Sequence, residues 1–375
     1  MDRGSSRVAR ARSLVNARAK GSIAASVAMA VVLISLVAMR KPPPDSRNPQ
    51  DARAPASSGE PDPSDRAERG DGGTPNASDP IARALARLGD AGSGVVLRAK
   101  WGSGKNELGR DRPQEGNPEA PMSLAVTADG MIVVDQINGR LMKYDGQGRL
   151  ERSIDATPTT QDVAVGKDGS IATLDRLSEH KVVVYDRGGR KSAELPLSGE
   201  RVGETGLVTG VFVDGKDVYV EKEHGVLVHV GTTDGQPGDE QKELVGRPTK
   251  DGALLVSAVL SAPRSGVAMV NGIDRKSGAL RFARAVQFPA PAREIVMLDS
   301  DARGIVYLGV SAGPEGIAEI ACMHPSDGHV VGRVDVQVST TPEETFRDFA
   351  VRDDGTIVYA LRSEDGVSYA TARCP

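Results

Sequence analysis

Cysteine and aromatic side chains are nearly missing from this chain. Of 375 residues only Cys322 and Cys374 are cysteines, Trp101 is the one tryptophan, and aromatics make up 3%. Two cysteines exclude a disulfide framework and a tetrahedral thiolate zinc site. With so few rings, any core must be assembled from Val, Leu, Ile and Ala. The same scarcity argues against sugar binding, which wants aromatic platforms. It also argues against single-stranded RNA binding, which wants aromatics or arginines on a basic face. No G-x-S-x-G pentad occurs, so the serine-hydrolase elbow is missing. GSGKNELG at 102–109 does not match G-x-x-x-x-G-K-[ST] and reads as a turn rather than a phosphate loop.

Charge is unevenly placed. Residues 1–41 hold eight Lys or Arg against Asp2 alone, a net of +7; residues 94–375 hold 33 basic and 41 acidic residues, a net of −8. A nucleic-acid binder concentrates basic charge on its folded part, so no nucleic-acid partner is expected. Residues 22–39, SIAASVAMAVVLISLVAM, are uncharged. As a helix they would be about 27 Å long, close to the hydrocarbon thickness of a bilayer. The basic stretch 1–21 is then a cytoplasmic tail under the positive-inside rule. The run exceeds a usual signal core, Arg40 and Lys41 follow it, and no A-x-A site ends it, so an uncleaved anchor is expected, with a cleaved signal peptide as the rival. Residues 40–78, rich in Pro, Ser, Gly, Asp and Arg, bury too little apolar surface to fold and read as a tether. DPIARALARLGD, residues 79–90, has the pattern of a short helix capped by Asp79.

From 94 to 375 one motif recurs. DGMIVVDQINGRLMKYDGQGRL at 129–150 returns as DGSIATLDRLSEHKVVVYDRGGRK, then in looser copies. Each has apolar runs of four to seven residues, too short for anything but strands. Asp-Gly and Gly-x-Gly pairs between them supply the positive φ of tight hairpins. First-turn aspartates stand at Asp129, Asp168, Asp214, Asp301 and Asp354. The double interval between Asp214 and Asp301 holds a degenerate copy, TKDGALLVSAVLSAPRSGVAMVNGIDRKSGALRFARAVQF, which makes six units. A four-stranded meander with two apolar faces cannot stand alone; six around an axis shield one another. The expected fold is an all-β, six-bladed β-propeller with four-stranded blades and an N-terminal transmembrane helix; a β-sandwich with coincidental spacing is the rival. The last unit supplies only three strands, so residues 95–101 are expected to close it and protect its edges.

The lead-in WGSGKNELGRDRP and the unit MSLAVTADGMIVVDQINGRLMKYDGQG resemble NHL repeats, in the D-x-G turn, the strand ending in Val-Asp and the Asn-x-Arg that follows. The resemblance implies a polar bracket over each hairpin, made by Asp135 with Asn138 and Arg140, and by Asp175 with Lys181. Later units drift, with Glu221, Gly309 and Leu361 in the aspartate position. Some propellers of this kind serve as external sensors of receptor kinases, although no kinase domain is present here.

Chemistry is thin. His224 and His229 share one hairpin, and His324 and His329 flank a turn that contains Asp327, but zinc wants three or four ligands and no such set is evident. No metal, cofactor or catalytic residue is therefore expected. The candidate binding surface is the set of loops between second and third strands. It comprises Gln136 and Asn138 in unit one, Arg176, Glu179 and His180 in unit two, and Lys222 and His224 in unit three. Glu315 in unit five and Arg362 and Glu364 in unit six complete it. Cys322 and Cys374 end third strands of neighbouring units. A bond between them would pin the C-terminus, yet strand positions of this kind commonly lie more than about 7 Å apart, too far to bridge. The expected function is a non-enzymatic protein- or peptide-binding or scaffolding module, held at the cell membrane with its propeller outside the cytoplasm. The rivals are a metal-dependent hydrolase or lyase centred on the channel, and a secreted propeller.

Overall fold

The computed structural model describes residues 94–375. The tail, membrane span, tether and short helix expected over 1–90 lie outside the described residues. The described chain is an all-β propeller of six four-stranded antiparallel sheets.

The chain opens with β1 (Val95–Lys100). Blade one is β2 (Ser123–Val126), β3 (Gly130–Asp135), β4 (Arg140–Asp145) and β5 (Leu150–Asp155). Blade two is β6 (Asp162–Val165), β7 (Ile171–Asp175), β8 (Lys181–Tyr185) and β9 (Lys191–Pro196). Blade three is β10 (Val208–Asp214), β11 (Asp217–Lys222), β12 (Val226–Thr232) and β13 (Glu243–Val245). Blade four is β14 (Arg247–Pro248), β15 (Leu254–Ala262), β16 (Val267–Asp274) and β17 (Leu280–Gln287). Blade five is β18 (Ala292–Ser300), β19 (Val306–Ala312), β20 (Ile317–Met323) and β21 (Val330–Gln337). Blade six has β22 (Phe349–Val351), β23 (Ile357–Ser363) and β24 (Gly366–Ala372), and β1 is its fourth strand.

Closure follows the expectation. β1 runs antiparallel to β24 with Leu97 opposite Tyr369 and Lys100 opposite Gly366. Gly366 has φ 159°, and a Cβ there would meet the Ala99 carbonyl oxygen at 2.2 Å, so the two strands can approach only because the side chain is missing. Trp101 continues the seam by donating from Nε1 to the Ser363 carbonyl at 2.9 Å.

Period-two alternation decides which neighbour each side chain meets. Along β3, Met131 and Val133 pack with Val358, Ala360 and Tyr369 of blade six, while Ile132 and Val134 pack with Val163, Ile171 and Val183 of blade two. Equivalent clusters join blades two and three, four and five, and five and six. Among the described residues no such cluster joins blades three and four. Ion pairs cross there instead, from Arg247 to Glu221 and from Arg275 to Asp214.

The two cysteines are bonded, which resolves the alternatives left open by the sequence. Their α-carbons are 6.5 Å apart, inside the bridgeable range. Cys322 lies on β20 and Cys374 just beyond β24, so the bond fastens the chain end to blade five. It closes a 52-residue separation. Reduction, or Cys374→Ser, is expected to lower stability by about 2–4 kcal/mol, read as a lower denaturation midpoint. Unreduced peptide mapping should find Cys322 and Cys374 in one peptide pair; two free thiols would contradict the fold's C-terminal lock.

Candidate functional site at the mouth of the channel

Blade four departs from the others at its inner strand. β13 ends at Val245 and β14 begins at Arg247, with only Gly246 (φ 105°) between them. β14 pairs only Arg247 with Val256 and Pro248 with Leu255. β15, in contrast, continues for nine residues and pairs with β16 along that length. Proline lacks the N–H that a longer ladder would use. The inner edge of β15 beyond Val256 therefore has no strand partner among the described residues. Leu254 directs its carbonyl to Thr249 on that side, so by the alternation of an antiparallel strand Ala258 and Leu260 direct their N–H and C=O groups there too.

Beside that edge lies a cavity of about 530 Å³, within the usual range for ligand sites. Val259, Leu260, Ile295 and Leu298 are its apolar lining near that edge, with Leu260, Ile295 and Leu298 packed on the core between blades four and five. Val259 is 57% exposed. Phe212, Glu221, His224, Arg247, Lys250 and Arg347 line it as well.

The charged wall is an interlocked set spanning several blades. Arg247 donates from Nε to Glu221 Oε1 at 2.6 Å and from Nη2 to Oε2 at 2.8 Å, a bidentate pair. Its Nη1 donates to the Leu298 carbonyl of blade five at 3.0 Å. Arg347 donates to buried Asp162 at 2.7 Å, and the Val211 N–H donates to the same oxygen at 2.9 Å. Both guanidiniums lie against Phe212, 5.1 and 5.0 Å from its centroid, within cation–π range. Burial alone would raise the Glu221 carboxyl, but Arg247 and then His224 outweigh it and hold it at about 2. For Asp162 the balance tips the other way: burial lifts it above the ordinary carboxylate range despite Arg347.

Local sequence explains these placements. Glu221 occupies the position held by Asp135 in β3 and Asp175 in β7. Asp135 keeps its charge local, accepting from Asn138 and from Arg140 Nε at 2.8 Å, as the repeat resemblance implies. The extra methylene of Glu221 instead reaches Arg247 on the next blade. The bracket expected between Asp175 and Lys181 does not form. Asp175 accepts from the backbone of Ser178 and Glu179 and from Thr159, while Lys181 pairs with Glu179 and Glu194. The β11–β12 turn places Glu223 and His224 at φ 51° and 54°, a type I′-like pair of left-handed residues without glycine.

The ten loop residues singled out by sequence are distributed unevenly. His224 alone among them lines the cavity, 3.4 Å from Glu221. Gln136 and Arg362 are buried and committed inward, Gln136 donating to the Ala120 carbonyl and Arg362 to Asp348 and the Pro121 carbonyl. Asn138 and Arg176 hold backbone, through the carbonyls of Gly102 and Val208. Lys222 donates to the Arg201 carbonyl, Glu364 pairs with Arg112, and His180 sits at φ 49° beside the Leu177 carbonyl. Glu179 and Glu315 are exposed. Sequence reasoning missed Phe212, Arg247, Lys250 and Arg347. Only Arg247-Pro248 directly after Gly246 hinted that an inner strand is cut short.

Among the described residues one group of three potential ligands converges: His324, Asp327 and His329, on the β20–β21 turn and not in the channel.

No protein-family model and no curated protein matches the chain. Among solved structures, a gluconolactonase of Xanthomonas campestris, XC5397, is 15% identical, over 80% of this chain and 94% of its own, at a TM-score of 0.44. Hydrazine synthase of Kuenenia stuttgartiensis is 14% identical, over 67% and 80%, at 0.41. BamB of Moraxella catarrhalis is 12% identical, over 74% and 100%, at 0.36. Likeness at this level concerns fold and bears on no activity.

Removing Arg247 leaves a buried carboxylate without its counter-charge. Arg247→Met is expected to destabilise by about 3–5 kcal/mol, and adding Glu221→Gln should restore most of that, both read from denaturant midpoints. The pH dependence has a defined sign. Because the folded-state Glu221 is held at about 2, below its ordinary 4.5, its contribution is complete above pH 4.5 and fades as pH falls towards 2. Acid titration of stability should be shallower over that window in the double variant.

Proposed function

We propose that the protein is a non-enzymatic binding module that takes an extended protein or peptide segment at the channel mouth. The single observation that carries this reading is the unpartnered inner edge of β15 beside an apolar-walled cavity. A sheet edge with free N–H and C=O groups is satisfied by another extended backbone, with side-chain pockets adding selectivity. The cavity wall of Val259, Leu260, Ile295 and Leu298 favours apolar side chains at alternate positions of that segment. Kinship of the first two blades with NHL repeats belongs to this reading as well.

The location proposed is the outer side of the cell membrane, on the uncharged run 22–39 with its basic flank. The Cys322–Cys374 bond supports an oxidising compartment, where disulfides persist.

Display of random decapeptides against the purified protein should enrich sequences with apolar residues at alternating positions. Val259→Lys changes a half-exposed side chain, so its melting temperature should match the wild type. Affinity for the selected peptides should nevertheless drop about tenfold, about 1.4 kcal/mol. Enriched peptides that bind both proteins equally would rule out this edge as the site.

A further inference from the structure

The β20–β21 turn of blade five reads His324-Pro-Ser-Asp-Gly-His329 and lies at the opposite end of the blade from the channel mouth. One donor atom from each of His324, Asp327 and His329 falls within 4.8 Å of the others. The two imidazole rings lie side by side, 5.2 Å between centroids and 15° from parallel. Asp327 Oδ1 is 2.6 Å from His329 Nδ1 and accepts the His329 N–H at 3.1 Å. His324 Nδ1 is 2.8 Å from Ser326 Oγ and accepts the Ser326 N–H at 3.2 Å.

The backbone under these groups is held from two directions. Within the hairpin, the His324 N–H donates to the His329 carbonyl at 2.8 Å and the Gly328 N–H to the His324 carbonyl at 2.9 Å. From blade four, Arg284 Nε donates to the Asp327 carbonyl at 2.7 Å. Gly328 has φ 72° and presses on the Phe282 ring, where an added Cβ would stand 2.5 Å from it. The ligand-bearing turn is thus built on a packed interface, which lowers the conformational cost of gathering three ligands.

We propose that this turn binds one divalent transition-metal ion of the zinc class, through His324, Asp327 and His329, with its remaining coordination open to water. Two imidazoles and a carboxylate suit zinc, nickel and copper and do not suit magnesium or calcium, which prefer all-oxygen sets. Zinc–nitrogen bonds of about 2.0–2.1 Å place tetrahedral ligands about 3.3 Å apart. Moderate side-chain rotation of partly exposed rings closes the present spacing to that value, with no movement of the ladder. Arg284 Nη2, 3.8 Å from the Asp327 carboxylate, is the competing cation that the metal displaces.

The test is titration of the full chain with zinc sulfate alone, by calorimetry and by equilibrium dialysis with metal analysis. One equivalent at micromolar affinity is expected. His324→Ala and His329→Ala should each weaken it at least tenfold, Asp327→Ala should weaken it similarly, and His180→Asn, outside both the turn and the cavity, should not change it. Equal melting temperatures will show that the exposed-turn variants fold. Failure to take up one equivalent overturns the proposal, as does uptake that persists in the His324→Ala/His329→Ala double variant. Loss with the histidine variants but not with Asp327→Ala overturns the three-ligand set. None of these outcomes bears on the peptide edge of β15.

Discussion

A four-stranded meander rich in valine is apolar on both faces, and burial of a single such side chain contributes about 1.5–3 kcal/mol. This constraint organises the whole described structure. Each blade sends alternate residues of its second and third strands to opposite neighbours, so Met131 and Ile132, adjacent in sequence, stabilise different interfaces. No blade has a core of its own; the cores lie between blades. Such an arrangement is only as stable as its closure. The β1–β24 ladder completes the last sheet, and the Cys322–Cys374 bond ties the sixth blade to the fifth.

The boundary between blades three and four departs from this rule. Where five interfaces carry apolar clusters among the described residues, this one carries Glu221 with Arg247 and Asp214 with Arg275. The same boundary has the abbreviated inner strand and the cavity. The two features share a cause. A chain that passes from Val245 to Arg247 through one glycine leaves no residues to line the upper part of the channel, so β15 is uncovered. A buried bidentate pair then stands in for packing. Such a pair adds little net stability over an apolar equivalent, but it fixes orientation, since either partner alone is strongly unfavourable.

Much of the architecture was legible because it is written redundantly. Turn aspartates at near-equal intervals, with short β-branched runs between them, leave few alternatives to six meanders. The deficit of one strand in the last unit pointed directly to β1. What stayed illegible depends on contacts between units. Nothing in the local pattern distinguishes Glu221, which reaches across a blade boundary, from Asp175, which caps its own turn. Arg362 was read as a loop group, but Asp348 and the Pro121 carbonyl draw it inward, to 7% exposure. The convergence of His324, Asp327 and His329 needed a hairpin register that spacing alone does not supply. The same holds for the cysteines, whose separation depends on how two neighbouring blades are offset.

Sites in repeat proteins are expected where one repeat stops obeying the rules that the others keep. Blade four fits that expectation in each respect. Its sequence matches the repeat least well, its inner strand is the shortest, and its second strand is the longest together with β18. Beyond its inner partner β15 sets Ala258 and Leu260 against the core shared with blade five, but leaves Val259 exposed and the backbone polar groups of Ala258 and Leu260 facing the channel. A long β15 beside a short β14 thus leaves an extended backbone edge bare at the channel, the feature on which the proposed peptide binding rests. The boundary beside it is polar, with the bidentate Arg247–Glu221 pair set against Phe212 where the other blade boundaries hold interlocking apolar side chains.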